Sequence, residues 1–167
     1  MLLLRLLHVV LGVFWAGTLI FAATLLNPAV KAAGPDGARV MQRLQERGML
    51  NVMPVVAALT ILSGLLLYWR VSGGLMEGWV RSRMGITFAL GGVASLAAFV
   101  IGVFVMRSAA LRATAIARGL EQVPEGPARQ AQQAELQGLR QRATGAGRWV
   151  AGLLGIATAA MAVARYL

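Results

Sequence analysis

Cysteine is absent from this chain of 167 residues, histidine occurs once, and only six residues are acidic. Without cysteine the chain has no disulfide, no thiolate nucleophile, no Cys-ligated zinc and no iron–sulfur cluster of its own. Charged residues make up 13% of the sequence, against about 25% in soluble domains. They are clustered and leave long stretches uncharged, which argues against a cytosolic globular enzyme and against a disordered tail.

The six acidic residues all fall in the connections between those stretches: Asp36, Glu46, Glu77, Glu121, Glu125 and Glu135. Ion-coupled carriers generally use carboxylates inside the membrane, and many hydrolases use a pair of acids. The sequence therefore disfavours both classes.

Hydrophobic residues account for 58% of the chain. They form uncharged runs at 6–26, 48–69, 84–106 and 149–164. A helix needs about 20 residues to cross the hydrocarbon core, where unpaired backbone groups find no water. The sequence predicts an all-α integral membrane four-helix bundle, a single domain over 1–167, with spans at about 3–26, 49–69, 84–106 and 149–167.

Two connections are long, at 27–48 and 107–148. In the first, apolar residues at 40, 41 and 44 share one helical face, which predicts a short interfacial helix. The second is polar, carries helix formers up to Leu120, and is broken near 124–127 before a second helical stretch at about 128–143. It predicts a cytoplasmic helical hairpin between the third and fourth helices. We expect its seam to contain Leu111, Ala115, Leu136 and Leu139.

The basic residues give the orientation. Eleven of the 16 Lys and Arg residues lie on the side of the two long connections and five on the other side. By the positive-inside rule the long connections are cytoplasmic and both termini are periplasmic, in a multi-pass protein of a bacterial inner membrane. The net charge of +10 therefore marks membrane topology rather than nucleic-acid binding.

Small residues mark the helix faces expected to pack together, because small side chains let helix backbones approach in lipid. The expected packing faces contain Gly12 and Ala16 in the first span, Ser63 and Gly64 in the second, Gly91, Ser95, Ala98 and Gly102 in the third, and Gly152, Gly155, Ala159 and Ala162 in the fourth.

His8 is the main candidate for chemistry. It shares a helical stripe with Gly12, Trp15 and Leu19 near the outer end of the first span, and Trp15 lies deep enough to pack inside the bundle. A neutral imidazole there has three uses: a hydrogen bond inside the bundle, ligation of haem iron or another metal, or contact with a proton or a quinone.

Four cations, Arg5, Arg70, Arg83 and Arg165, are expected at the same end, with Glu77 as the one acid on that side. Such a ring suits an anion, whether porphyrin propionates, lipid phosphate or an acidic partner surface. The alternative is that these arginines anchor the helix ends by extending to the interface. Separately, Met49 and Met53 lie one turn apart and offer thioethers to Cu(I), although methionine is also an ordinary apolar filler.

Three segments resemble small membrane proteins of the copper-resistance-D-like and HemJ-like superfamily, the latter haem-containing protoporphyrinogen oxidases. "LHVVLGVFWAGTLIFAATLLNPAV" (7–30) resembles their first helix, and "NVMPVVAALTILSGLLLYW" (51–69) resembles their second. "WVRSRMGITFAL" (79–90) is similar to the entry of their third helix. The resemblance implies that His8 is associated with haem, and it is strongest to the uncharacterised branch of the superfamily.

These observations leave two main functions and a weaker third. The first is a redox protein that binds haem b through His8, with Arg5, Arg70, Arg83 and Arg165 at the propionates and Trp15 nearby. The second is a non-catalytic accessory subunit of a larger membrane complex or a homodimer. The third is transport of copper or a small ion. No residue is assigned a catalytic role, and beyond the lipid bilayer no partner is identified.

Overall fold

The computed structural model describes residues 1–120 and 122–167 of the chain. Within these residues all regular secondary structure is helical. The four long helices are α1 (Leu2–Ala32), α3 (Met49–Val71), α5 (Arg83–Leu120) and α6 (Pro127–Tyr166). Two short helices, α2 (Gly34–Glu46) and α4 (Glu77–Val80), lie in the connections.

The long helices confirm the predicted all-α class. Each of the four is long and apolar enough to cross a membrane. Only 22% of the most apolar window of α1, α3 and α5, and 33% of that of α6, is buried inside the protein. Most of the apolar surface therefore faces outward, which is favourable in lipid and unfavourable in water.

The four helices form a bundle in which α1 packs on α3 and α6, and α5 packs on α6 and α3. Large and small apolar side chains from all four meet at its centre. The core contains Trp15, Ala16, Leu19, Ala57, Ala98, Val150 and Leu154. The burial of Trp15, which is 3% exposed, confirms that it packs inside the bundle.

Helices α5 and α6 approach each other closely at Gly91. A β-carbon at this position would lie 3.1 Å from Cγ of Met161 and 3.3 Å from the carbonyl oxygen of Ala157. Gly91 and Ala98 are both buried, so the small-residue face expected for the third span is the one that packs.

The small-residue face expected for the fourth span is wrong. Gly152, Ala159 and Ala162 are exposed, and Gly155 is only partly buried. The buried face of α6 instead contains Val150, Ala151, Leu154 and Ala157. The centre of the bundle is filled by the larger Leu154 and Val150 side chains, which supply the dispersion contacts that drive helix association in lipid.

Helix α1 continues past Pro28 to Ala32, beyond the end expected at residue 26. The turns immediately before the proline, Ala22–Leu26, are wound as a π-helix. A proline has no N–H for the carbonyl four residues earlier, and a wider turn is a usual way for a helix to accommodate that gap. The chain then reverses into α2, where Gly37 lies so close to Val30 that a β-carbon would overlap its carbonyl.

Helix α2 confirms a helix in the first long connection. Met41 and Leu44 on its apolar face are partly buried, whereas Val40 is 52% exposed. The hydroxyl of Thr114 in α5 donates to Oε1 of Gln45 at 2.8 Å, so α2 is attached to the extension of the third span.

The second long connection forms two helical arms that pack on each other. Contrary to expectation, the second arm is not a separate stretch, since α6 runs unbroken from Pro127 into the fourth span. The expected seam is confirmed at Leu136, which is buried, and Leu139 is partly buried. On the first arm it is wrong, because Leu111 and Ala115 are exposed and Ala109 and Ala113 are buried instead. The expected place of Glu121 in this connection lies outside the described residues.

Candidate functional site

His8 of α1 faces the middle of α3. Its Nδ1 lies 2.9 Å from the carbonyl oxygen of Thr60 and 3.2 Å from Oγ of Ser63. The Ser63 hydroxyl donates to the carbonyl oxygens of Leu59 at 2.7 Å and Thr60 at 2.9 Å. Thr60 and Ser63 are 6% and 3% exposed, so this polar group is enclosed between the two helices.

The hydrogen bonds determine which nitrogen of His8 carries the proton. A carbonyl oxygen accepts only, so the bond to Thr60 requires that Nδ1 carry a hydrogen. The single Ser63 proton is directed at backbone carbonyls, so Ser63 also acts as an acceptor toward Nδ1. In the neutral ring Nε2 therefore holds the free lone pair. Among the described residues no hydrogen bond engages Nε2.

Gly64 makes room for the imidazole. A β-carbon at position 64 would lie 2.8 Å from Cε1 and 3.2 Å from Nδ1 of His8. One turn further along α1, a β-carbon at Gly12 would contact Cγ2 of Thr60 at 3.5 Å. The small residues predicted at this interface thus allow the ring to lie directly on the α3 backbone, and His8 itself remains partly exposed.

The four arginines of the predicted outer ring lie at one end of the bundle. Arg5 is near the start of α1, Arg70 near the end of α3, Arg83 at the start of α5 and Arg165 near the end of α6. All four are exposed. In the described part of the chain none of them is within ion-pair distance of a carboxylate, since Glu77 pairs with Arg81 at 2.9 Å.

Trp15 lies two helical turns from His8, toward the other half of the bundle. It lines a cavity of about 50 Å³ together with residues of α3 and α5. Trp15 is therefore a core residue beside this cavity.

The same cavity brings methionines together. Met49 and Met53 of α3 line it, and so does Met106 of α5, which sequence reasoning did not link to them. Within the described residues, His, Cys, Asp and Glu do not gather in a group of three or more able to hold a metal ion. Copper binding by Met49 and Met53 stays a prediction.

Two sets of polar contacts were missed by sequence reasoning. Of the partners of His8, Thr60 was visible only as a polar residue in an apolar run, and Ser63 was expected only as a small packing residue. The second set, away from His8, belongs to Arg107, which donates from Nε to the carbonyl oxygen of Leu50 at 2.9 Å. Its signal was Pro54, because a proline leaves the carbonyl four residues earlier without its helical donor.

Comparison with protein-family models, with curated proteins and with solved structures finds no match to this chain.

Proposed function

We propose that the chain is a multi-pass protein of a bacterial inner membrane that binds haem b through Nε2 of His8 and serves a redox role. The arginine and lysine distribution supports the orientation, with eleven of these residues on the side of the long connections and five on the side of the termini. The termini and His8 are then on the periplasmic side.

The observation that carries the haem proposal is the hydrogen bond between Nδ1 of His8 and the carbonyl of Thr60. Histidines that ligate a metal almost always donate their other ring N–H to a carbonyl or carboxylate, which fixes the tautomer and makes the ligating nitrogen more basic. His8 has this arrangement, and its Nε2 is free of hydrogen bonds from the described residues. His8 therefore has the chemistry of a histidine that would hold the iron.

The four outer arginines support the same proposal. Their guanidinium groups are suited to carboxylates such as porphyrin propionates. They are exposed, and within the described residues they are not engaged by acidic side chains. Haem supplies one-electron chemistry when bound. The residues of this chain would hold and orient it: His8 at the iron, and Arg5, Arg70, Arg83 and Arg165 at the propionates.

The visible spectrum of the protein, purified in detergent and supplied with haem, tests this proposal. We expect a Soret band that is lost in His8→Ala. Ser63→Ala is the matched control: it removes the 3.2 Å contact but keeps the Thr60 carbonyl, so the band should remain. A wild-type protein that stays colourless would contradict haem binding.

A second candidate function, an accessory subunit of a larger membrane assembly, is favoured by the outer face of α6. Gly152, Ala159 and Ala162 face outward there, and Trp149 is 73% exposed. In lipid, small residues allow another helix to approach closely. Gly152→Leu should then release the chain from a co-purifying complex without unfolding it. A chain that purifies alone from its native membrane would contradict this function.

A further inference from the structure

The cytoplasmic half of the bundle contains a fixed guanidinium. Pro54 has no N–H, so the carbonyl of Leu50 lacks the donor that a regular helix would supply. Nε of Arg107 donates to that oxygen at 2.9 Å, and Nη2 donates to Oδ1 of Asn51 at 3.0 Å. These two bonds hold the planar guanidinium in one orientation against the first turn of α3.

The charge on Arg107 is not neutralised by these bonds. A guanidinium has five N–H donors, and the two bonds to neutral acceptors leave three. Within the described residues Arg107 forms no ion pair. It is partly buried, where solvent screens a charge less than it does at an open surface. Such a group is prepared to bind an anion through two parallel hydrogen bonds.

An apolar cavity begins beside this charge. It measures about 50 Å³ and is lined by Trp15, Met53, Pro54, Phe99, Gly102 and Arg107, among others. Apart from Arg107 at one end, the side chains that line it are apolar, and an apolar cavity that offers a water too few hydrogen-bond partners stays dry. The cavity therefore suits a short piece of hydrocarbon rather than water.

The sequence pattern puts Arg107 at the expected membrane interface, and the cavity extends from it toward the core residues Trp15, Leu19 and Ala98. Arg107 is the first charged residue after the uncharged run of α5. A β-carbon at Gly147 of α6 would lie 3.5 Å from Sδ of Met106, so Arg148 stands at the same level of the bundle. Arg47, just before α3, adds a third cation at this end. A zwitterionic lipid brings an ammonium group into this positive field, whereas an anionic lipid does not.

We propose that Arg107 and the adjacent cavity form a binding site for an anionic phospholipid. The phosphate lies on the free edge of the Arg107 guanidinium, and one acyl chain places a segment in the cavity between α1, α3 and α5. The site is separate from His8 and independent of haem binding.

Native mass spectrometry of the purified chain in micelles with equal amounts of phosphatidylglycerol and phosphatidylcholine tests the proposal. We expect the wild type to retain phosphatidylglycerol in preference. Arg107→Gln should reduce this preference about fivefold, as expected for one interfacial cation. Arg112→Gln, an exposed arginine of the same helix, is the control and should change it much less. Millimolar inorganic phosphate should not displace the lipid.

A second variant tests the proposal even if Arg107→Gln fails to fold. Gly102 lines the cavity, and a β-carbon there would meet nothing within 4 Å. Gly102→Val therefore adds volume at the cavity wall without a clash at the β-carbon while Arg107 is kept, and it should lower retention of phosphatidylglycerol. Gly92→Val is the control, since Gly92 faces outward on the same helix. Equal retention of the two lipids by the wild type, displacement by phosphate, or unchanged retention in Gly102→Val would each overturn the proposal.

Discussion

His8 lies on Gly64 so closely that a β-carbon at position 64 would stand 2.8 Å from its Cε1. The imidazole of His8 in α1 therefore lies directly against the backbone of α3 at Gly64. The contact allows Nδ1 to reach the carbonyl of Thr60 at 2.9 Å, which in turn leaves Nε2 as the lone-pair nitrogen. One small residue on α3 thus determines the orientation of the only imidazole in the chain.

Gly64→Ala tests this dependence. Adding a methyl group to a filled interface typically costs about 1–3 kcal/mol, and the ring would have to shift from the position in which Nδ1 contacts the Thr60 carbonyl. We expect a lower midpoint of thermal unfolding in detergent and, if haem binds at His8, a weaker Soret band. Gly92→Ala is the control because Gly92 is exposed with nothing within 4 Å of a β-carbon. A stability equal to that of Gly92→Ala would contradict the close contact.

The packed face of α6 gives a second prediction. Leu154, 2% exposed, fills the centre of the bundle, so Leu154→Ala should lower the free energy of unfolding by about 2–5 kcal/mol. Gly152→Ala, on the exposed face expected from sequence to be buried, should be neutral or stabilise by up to about 1 kcal/mol. Chemical unfolding in mixed micelles measures both. A larger loss of stability in Gly152→Ala than in Leu154→Ala would indicate that the small-residue face of α6 is the buried one.

The four long apolar helices could be predicted from sequence because charge is excluded from hydrocarbon, and each uncharged run lies within a helix of the structure except for Gly48, which precedes α3. The packing faces were harder to predict. Small residues favour close approach, but they do not say which side of a helix is inside. On α5 the small-residue face is buried at Gly91 and Ala98, whereas on α6 burial follows Val150 and Leu154.

The surroundings of His8 and Arg107 were likewise predictable only in part from the sequence. His8 was identifiable as the only histidine of the chain, and the expected small residue on α3 is indeed Gly64. The tautomer was not predictable, because it depends on a carbonyl 52 residues away. The fixed position of Arg107 was equally hidden, since its acceptor is a backbone oxygen 57 residues earlier in the chain.

Orientation can be tested directly because the chain contains no cysteine, so a single introduced cysteine is the only thiol. Leu2→Cys and Gln130→Cys place it at exposed positions, near the amino terminus and in the second arm of the hairpin. If the termini are periplasmic, an impermeant maleimide added to spheroplasts should label Leu2→Cys at once and Gln130→Cys only after lysis. Labelling in the opposite order would show that the protein is inverted.

The link between Arg107 and Leu50 predicts a coupling that tests its physical cause. In Pro54→Ala the new N–H can bond the Leu50 carbonyl within α3, so the donation from Nε of Arg107 becomes redundant. Arg107→Gln should then destabilise the Pro54→Ala protein less than it destabilises the wild type. A coupling free energy of about 1–2 kcal/mol is expected, since hydrogen bonds from charged donors contribute about 1.5–3 kcal/mol and contacting residues couple by about 0.5–3 kcal/mol. Four unfolding measurements in one detergent give this value.

The exposed Arg112 makes no such bond among the described residues, so Arg112→Gln should have additive effects with Pro54→Ala. Additive effects of Arg107→Gln and Pro54→Ala would mean that the proline gap is not what holds the guanidinium in place.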